Sequence, residues 1–357
     1  MDFQPTEDQE ALRTGVRKLL AGRFPREALR AAVDAGDVPG GAAVHTAGGG
    51  AVTGAPRWPT GTDGGVPLLD RARWRELGAA GFFALRVPEA DGGVGLGLPE
   101  AVLLFEEAGR VLLPGPLVAT HLAATHLTGP VAAGAATGET VVTLAQPSVP
   151  VGHLAAADAV MVLGGTGDGS VGLVAADAFP AVAIRSVDPL TPLHLADGGP
   201  GGGLAAEQPF DGGTGADPDR LRREAALLTA AQQVGSAGRT LAMAVQHARE
   251  REQFGRPIGA FQAVKHLCAD MLVRVEMART AVYAAAVSGD GFETAAARLL
   301  ADDAAARNAR DCLQVFGGMG FTWEADVHLH IKRSWVLAAG RGDKERYEEE
   351  LAGELLR

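Results

Sequence analysis

Residues 251–271 read REQFGRPIGAFQAVKHLCADM and residues 312–324 read CLQVFGGMGFTWE. Each joins a glycine-punctuated turn to a long run with helical spacing of apolar residues. Working outward, residues 218–249, 260–288, 293–316 and 322–338 are expected to be helices. Glycines at 317, 318 and 320 separate the last two, and a charged helix, DKERYEEELAGELL, closes the chain. Upstream, about 138–217, the pattern changes to short Val-rich runs (ETVVTLA, AVMVLGG, SVGLVAA, PAVAIRSV) broken by Gly, Asp and Pro, which predict antiparallel strands. Before that, helices are expected over 6–21, where Thr6 and Gln9 have capping-box spacing, over 69–81, from Pro99, and over PLVATHLAATHL. Residues 36–65 are Gly/Ala/Thr/Pro-rich without periodicity and predict a flexible loop.

The order is therefore α, β, α, an α+β chain in three segments. Residues 1–137 are an N-terminal helical domain, 138–217 a small, shortened antiparallel β-barrel, and 218–357 a C-terminal four-helix bundle. The 357 residues are 47% apolar and 21% charged, which suits a folded core. A net charge of −11 argues against nucleic acid, which demands a basic surface. The N-terminus is a charged amphipathic helix without a signal-peptide pattern, and no apolar run has the length of a membrane span. A soluble, cytoplasmic protein is expected, with Cys268 and Cys312 as buried free thiols. None of the nine histidines has a spacing that suggests catalysis or a metal; His328 and His330, two apart on a helix, share no face.

The two quoted motifs, the stretch WRELGAAGFFALRVPEADGGVGLGLPEAVLLFEEAGRVLLPGPL (74–117) and HLHIKR (328–333) resemble the acyl-CoA dehydrogenase family over nearly the whole chain. The resemblance implies FAD as cofactor. A pyrophosphate needs a fixed cation and amide donors. Arg251 would supply the charge, Gln253 and Gln262 side-chain hydrogen bonds, and Phe254 an apolar wall. Gln314, Gly317 and Gly318 would bring backbone amides close to the ligand. In the family these residues reach across a subunit interface into the neighbour's flavin site. Taken singly, the motifs also read as a helix terminus with an exposed arginine and as a helix stop with a turn; their order and helical setting favour the family reading.

The chain also departs from the family pattern. The glutamate that removes the substrate α-proton has two known places in the fold. One falls close to Arg341, which cannot act as a base at neutral pH. The other falls on Ala225, with Glu224 beside it. One residue is about 100° around a helix, so Glu224 would point elsewhere, and a surface glutamate is the plainer reading. Ala145-Gln146-Pro147 stands where a Thr-Glu-Pro stretch would begin, and the loops that hold the isoalloxazine ring are expected to be missing.

These features suggest a shortened subunit that lends flavin contacts to a complete, homologous partner in a heterotetramer. Two alternatives stay open: a homo-oligomeric enzyme using Glu224, and a non-catalytic structural or binding subunit. The expected substrate is an acyl-CoA or acyl-carrier thioester, and the family implies an electron-transferring flavoprotein as acceptor.

Overall fold

The computed structural model describes residues 5–36, 69–147, 149–164, 171–196, 216–339 and 344–355. The helices are α1 (Glu7–Arg23), α2 (Arg26–Gly36), α3 (Arg71–Ala79), α4 (Leu98–Arg110), α5 (Leu117–His126) and α6 (Gly129–Thr137), followed after the strands by α7 (Pro218–Glu250), α8 (Gln262–Ser288), α9 (Gly291–Phe316), α10 (Val327–Ala339) and α11 (Lys344–Leu355). The strands are β1 (Val142–Ala145), β2 (Val151–Gly152), β3 (Ala159–Leu163), β4 (Val171–Ala175), β5 (Ala181–Ile184) and β6 (Leu193–Ala196), with a hairpin of β7 (Glu252–Gln253) and β8 (Arg256–Pro257) between α7 and α8. The expected flexible loop lies, but for Gly36, outside the described residues.

The chain forms two compact units. One is helical and draws on residues 1–25, 84–113 and 219–357; the other takes 26–83 and 114–218 and holds all six strands of the central segment. The expected N-terminal helical segment is thus shared out: α1 and α4 join the C-terminal helices, while α2, α3, α5 and α6 accompany the strands.

Local chemistry sets the helix ends in both units. Thr6 and Gln9 form the expected capping box, with Gln9 N–H donating to Thr6 Oγ1 at 3.2 Å and Thr6 N–H to Gln9 Oε1 at 2.9 Å. Asp290 caps α9 by accepting from Glu293 N–H at 2.9 Å, directly after Gly289 ends α8 at φ 67°.

In the helical unit, α7 is buried nearly all round from Glu224 to Ala237. Such a helix needs neighbours on every side, and glycine brings α4 close. A Cβ built on Gly235 would lie 1.8 Å from Glu106 O, and one on Gly109 would lie 2.0 Å from Gln232 O. Gly235→Ala must push the two backbones apart. A loss of about 1–3 kcal/mol is expected in denaturant unfolding, the usual cost of overpacking.

The same contact region buries charge. Glu107 is 1% exposed and accepts from Arg17 at 2.6 and 2.9 Å and from Arg13 at 3.2 Å; these arginines offset its burial and hold the carboxyl below the usual range. Glu106, 3% exposed, accepts from Arg279 at 2.9 and 3.0 Å and from Tyr283 Oη at 2.6 Å. Buried carboxylates survive only when paired in this way.

His330 on α10 is 2% exposed and shares a 2.8 Å hydrogen bond between Nδ1 and Ser236 Oγ. Burial, with Arg239, Arg333 and Arg110 nearby, lowers its pKa to about 3. An unfolded histidine titrates near roughly 6.5. Below that pH the unfolded chain binds a proton that the folded chain refuses. The contribution of His330 to stability is therefore complete above about 6.5 and is lost as pH falls toward 3. His330→Gln should flatten the pH dependence of unfolding free energy in that window, measured by urea melts.

In the second unit, Trp74 on α3 is 1% exposed and packs on Phe83 at 4.6 Å between ring centroids. α5 is joined to β1 through Thr120, whose Oγ1 donates to Val142 O at 3.0 Å and accepts from Val142 N–H at 3.1 Å. All four expected strand runs form strands, β1, β3, β4 and β5.

Their arrangement corrects the expectation that the strands are all antiparallel, and the described residues do not confirm a barrel. β1 pairs parallel with β3, and the described strands form two three-stranded sheets, β1-β3-β4 and β2-β6-β5, with no closed ring among the described residues. The reason is the connection. Residues 146–158 carry the chain into β2 of the other sheet and back, so β1 and β3 are not hairpin neighbours. Ala145, Val151, Leu154, Val160, Val162 and Phe179 form the core shared by the two sheets, and Thr143 Oγ1 donates across to Gly152 O at 2.5 Å.

Candidate flavin-facing site

One end of the helical unit gathers the two motifs. α7 stops at Glu250, and Arg251 N–H closes its last turn on His247 O at 2.8 Å. β7 and β8 then pair Glu252 with Pro257 and Gln253 with Arg256. A two-residue connection of the type I′ kind between such strands has positive φ at both turn positions. Phe254 adopts φ 54° and Gly255 φ 75°. Glycine does this freely, but a bulky residue there carries strain of about 1–2 kcal/mol. The Phe254 ring stands out from the turn, 90% exposed, edge-on to Phe261 at 6.1 Å. Arg256 lies over the Phe261 ring at 4.3 Å.

Gln262 is the first residue of α8, and Gln314 lies in the last turn of α9. Gly317 N–H donates back to Gln314 O and Leu313 O, and the chain leaves α9 at φ 60°, ψ −142°. A Cβ at Gly317 or Gly318 would meet nothing within 4 Å, so the turn is open on its outer side. Gly320 has a different reason: its Cβ would come within 2.8 Å of Leu313 Cδ1.

Apolar packing brings the motifs together. Ala244, Ala248, Met271, Cys312, Val315 and Val327 form a buried cluster against which Ile258, Cys268 and Phe316 pack. His247 stacks on Phe316, with centroids 4.2 Å apart and planes 16° apart. The sequence reading missed His247. Its signal is its place one helical turn before Arg251, where a flat side chain can join α7 to the end of α9. Burial and the Arg251 charge lower its pKa. Both cysteines are free thiols; Cys312 is buried as expected, whereas Cys268 is half-buried. Burial raises both, Cys312 to about 12.

Arg251, Gln253, Phe254, Gln262, Gln314, Gly317 and Gly318 are all exposed. Among the described residues no carboxylate pairs with the Arg251 guanidinium. An uncommitted cation beside exposed amide donors and an open glycine turn fits the phosphate-bearing half of a dinucleotide.

The expected base positions are different in kind. Ala225 is 1% exposed inside α7. Glu224 is not a surface residue: its side chain is 7% exposed and paired with Arg86 at 2.6 Å and Arg220 at 2.9 Å. Arginines on both oxygens commit this carboxylate to an ion pair. The weak candidacy of Glu224 as a base gains no support from this setting. Arg341 lies outside the described residues. Among the described residues no cluster of His, Cys, Asp and Glu could hold a metal, and no helix is long and apolar enough to cross a membrane.

Comparison with known proteins accords with this architecture. Residues 219–356 match the family model for the acyl-CoA dehydrogenase C-terminal domain, and residues 55–135 that for the N-terminal domain. Acyl-CoA dehydrogenase IpdE2 of Mycolicibacterium smegmatis is 32% identical over 338 residues, covering 92% of this chain and 93% of IpdE2. The chain belongs to the acyl-CoA dehydrogenase family. Acyl-CoA dehydrogenase FadE34 of Mycobacterium tuberculosis is 36% identical over 286 residues, 76% of this chain, which spans only 40% of FadE34. Among solved structures, the ChsE4-ChsE5 complex from Mycobacterium tuberculosis aligns at TM-score 0.78 and 25% identity, covering 100% of this chain and 99% of that chain. Members of this oxidoreductase family bind FAD, and the exposed motifs of this acyl-CoA dehydrogenase family chain fit that cofactor's phosphates.

Proposed function

We propose that this chain is a subunit of an FAD-dependent acyl-CoA dehydrogenase that catalyses α,β-dehydrogenation of an acyl thioester, and that it lends the phosphate-facing part of the flavin site to a homologous partner. The observation that carries the proposal is the exposure of all seven motif residues on one end of the helical unit, with Arg251 uncommitted. The similar ChsE4-ChsE5 structure is itself a complex of two chains. Bound FAD would accept the substrate β-hydride. Arg251 would hold its phosphates, with the open turn at Gly317 and Gly318 letting the backbone come close, and Gln253, Gln262 and Gln314 would fix its register through side-chain hydrogen bonds.

The base would come from the partner, because Ala225 has no proton acceptor and Glu224 is held by Arg86 and Arg220. The substrate is a CoA or carrier-protein thioester, and an electron-transferring flavoprotein would reoxidise the flavin. The test is visible flavin absorbance of the chain purified alone and after co-expression with a dehydrogenase homologue encoded beside it. Flavin only in the co-purified complex supports the shared site. Flavin in the chain alone favours a homo-oligomeric enzyme, and its absence from both favours a structural subunit.

A further inference from the structure

The hairpin between α7 and α8 carries a second arginine, Arg256, which has no part in the site described so far. Arg256 opens β8, and the register pairs it directly with Gln253 on β7. Directly opposed residues of an antiparallel pair carry their side chains on the same face. Alternation along the strand puts Arg251, two residues before Gln253, on that face too. The pairing runs back that far, since Ile258 N–H donates to Arg251 O at 2.8 Å. Arg251 and Arg256 are then diagonal neighbours across the hairpin, about 7–8 Å apart in an ordinary ladder.

The Arg256 guanidinium has a fixed backing. Its Cζ lies 4.3 Å from the centre of the Phe261 ring, which Phe254 meets edge-on at 6.1 Å. Stacking occupies the flat face of a guanidinium and leaves the N–H donors at its edge unspent. Among the described residues no carboxylate pairs with Arg256, which is exposed. A cation already ordered by a ring loses little freedom when an anion binds. A diphosphate has two phosphate groups, each able to take a guanidinium fork.

We propose that Arg256 is a second phosphate-binding residue, which acts with Arg251 and Gln253 on one face of the hairpin to hold the diphosphate of a dinucleotide, with Phe261 as its backing. This role rests on the lent phosphate cradle proposed above, to which it adds a second cation.

The test is FAD titration of the apo-complex of the chain with its co-expressed homologue, at low and at moderate salt. Arg256→Gln is expected to weaken FAD binding by about 10-fold at low salt and to flatten its salt dependence, because one exposed ion pair to phosphate is gone. Arg256→Lys should recover part of the affinity and most of the salt dependence, since it keeps the charge. Phe261→Leu keeps the arginine and removes its backing, and should weaken binding by about 2- to 5-fold, the value of an exposed cation–π contact. If Arg256→Gln does not fold, the other two variants carry the comparison. An arginine that only packs the hairpin would lower the melting temperature of the isolated chain and leave the affinity and salt dependence of FAD binding as in the wild type. That result, alongside weakened binding in Arg251→Gln, would overturn the role of Arg256 alone. A wild-type complex that binds no FAD would remove the shared site and Arg256 with it.

Discussion

Arg251→Gln is expected to lower the flavin affinity of the assembled enzyme by on the order of 10- to 100-fold, the value of one hydrogen bond to a charged group. The melting temperature of the isolated chain should not move. Arg251 is exposed at the end of α7, and its structural role is a backbone one: its N–H reaches His247 O, and its carbonyl accepts from Ile258 N–H at 2.8 Å. Glutamine keeps that backbone and removes the charge. Lysine should restore part of the affinity, because it supplies the charge without the planar fork. Flavin titration of the apo-complex, followed by fluorescence, measures all three proteins. Wild-type affinity in Arg251→Gln would remove this residue from the flavin site and with it the main support for a lent phosphate cradle.

Glu224→Ala is expected to cost about 3–5 kcal/mol of stability, because it strands the buried Arg86 guanidinium without its partner. Glu224→Gln should cost less, as the amide can still accept one hydrogen bond. The double variant Arg86→Met/Glu224→Gln should recover part of the loss, since the uncompensated charge is gone. Urea unfolding measures the series. The same substitution separates the two enzymatic readings. In the co-purified complex, at a temperature where Glu224→Gln is folded, substrate-driven flavin reduction should keep its rate. A drop of roughly 10²- to 10⁴-fold would instead assign proton abstraction to Glu224.

Arg251 and Glu224 also mark how far residue order could be read. The long helices α7, α8, α9 and α10 were legible because their apolar spacing, capping residues and glycine stops agree with one another. The two exposed motifs were legible because their signals are local: a Phe-Gly turn and a Gly-Gly helix stop. α2 and α6 were not foreseen. α6 is almost wholly Gly, Ala and Thr, so its amphipathic signal is weak, and packing against α3 and α5 holds it.

The sequence by itself determined where the long helices and four of the strands run, and it gave the expectations of which residues could face a phosphate and that the family's base positions fall on Ala225 and close to Arg341. Local propensity and spacing carry that information along the chain. Only the tertiary structure decided that β1 pairs parallel with β3 in one of two small sheets. Only it decided that Glu224 is locked between arginines. Pairing and charge balance depend on residues far apart in the chain. Arg86 and Glu224 are 138 positions apart, and no periodicity signals a contact of that kind.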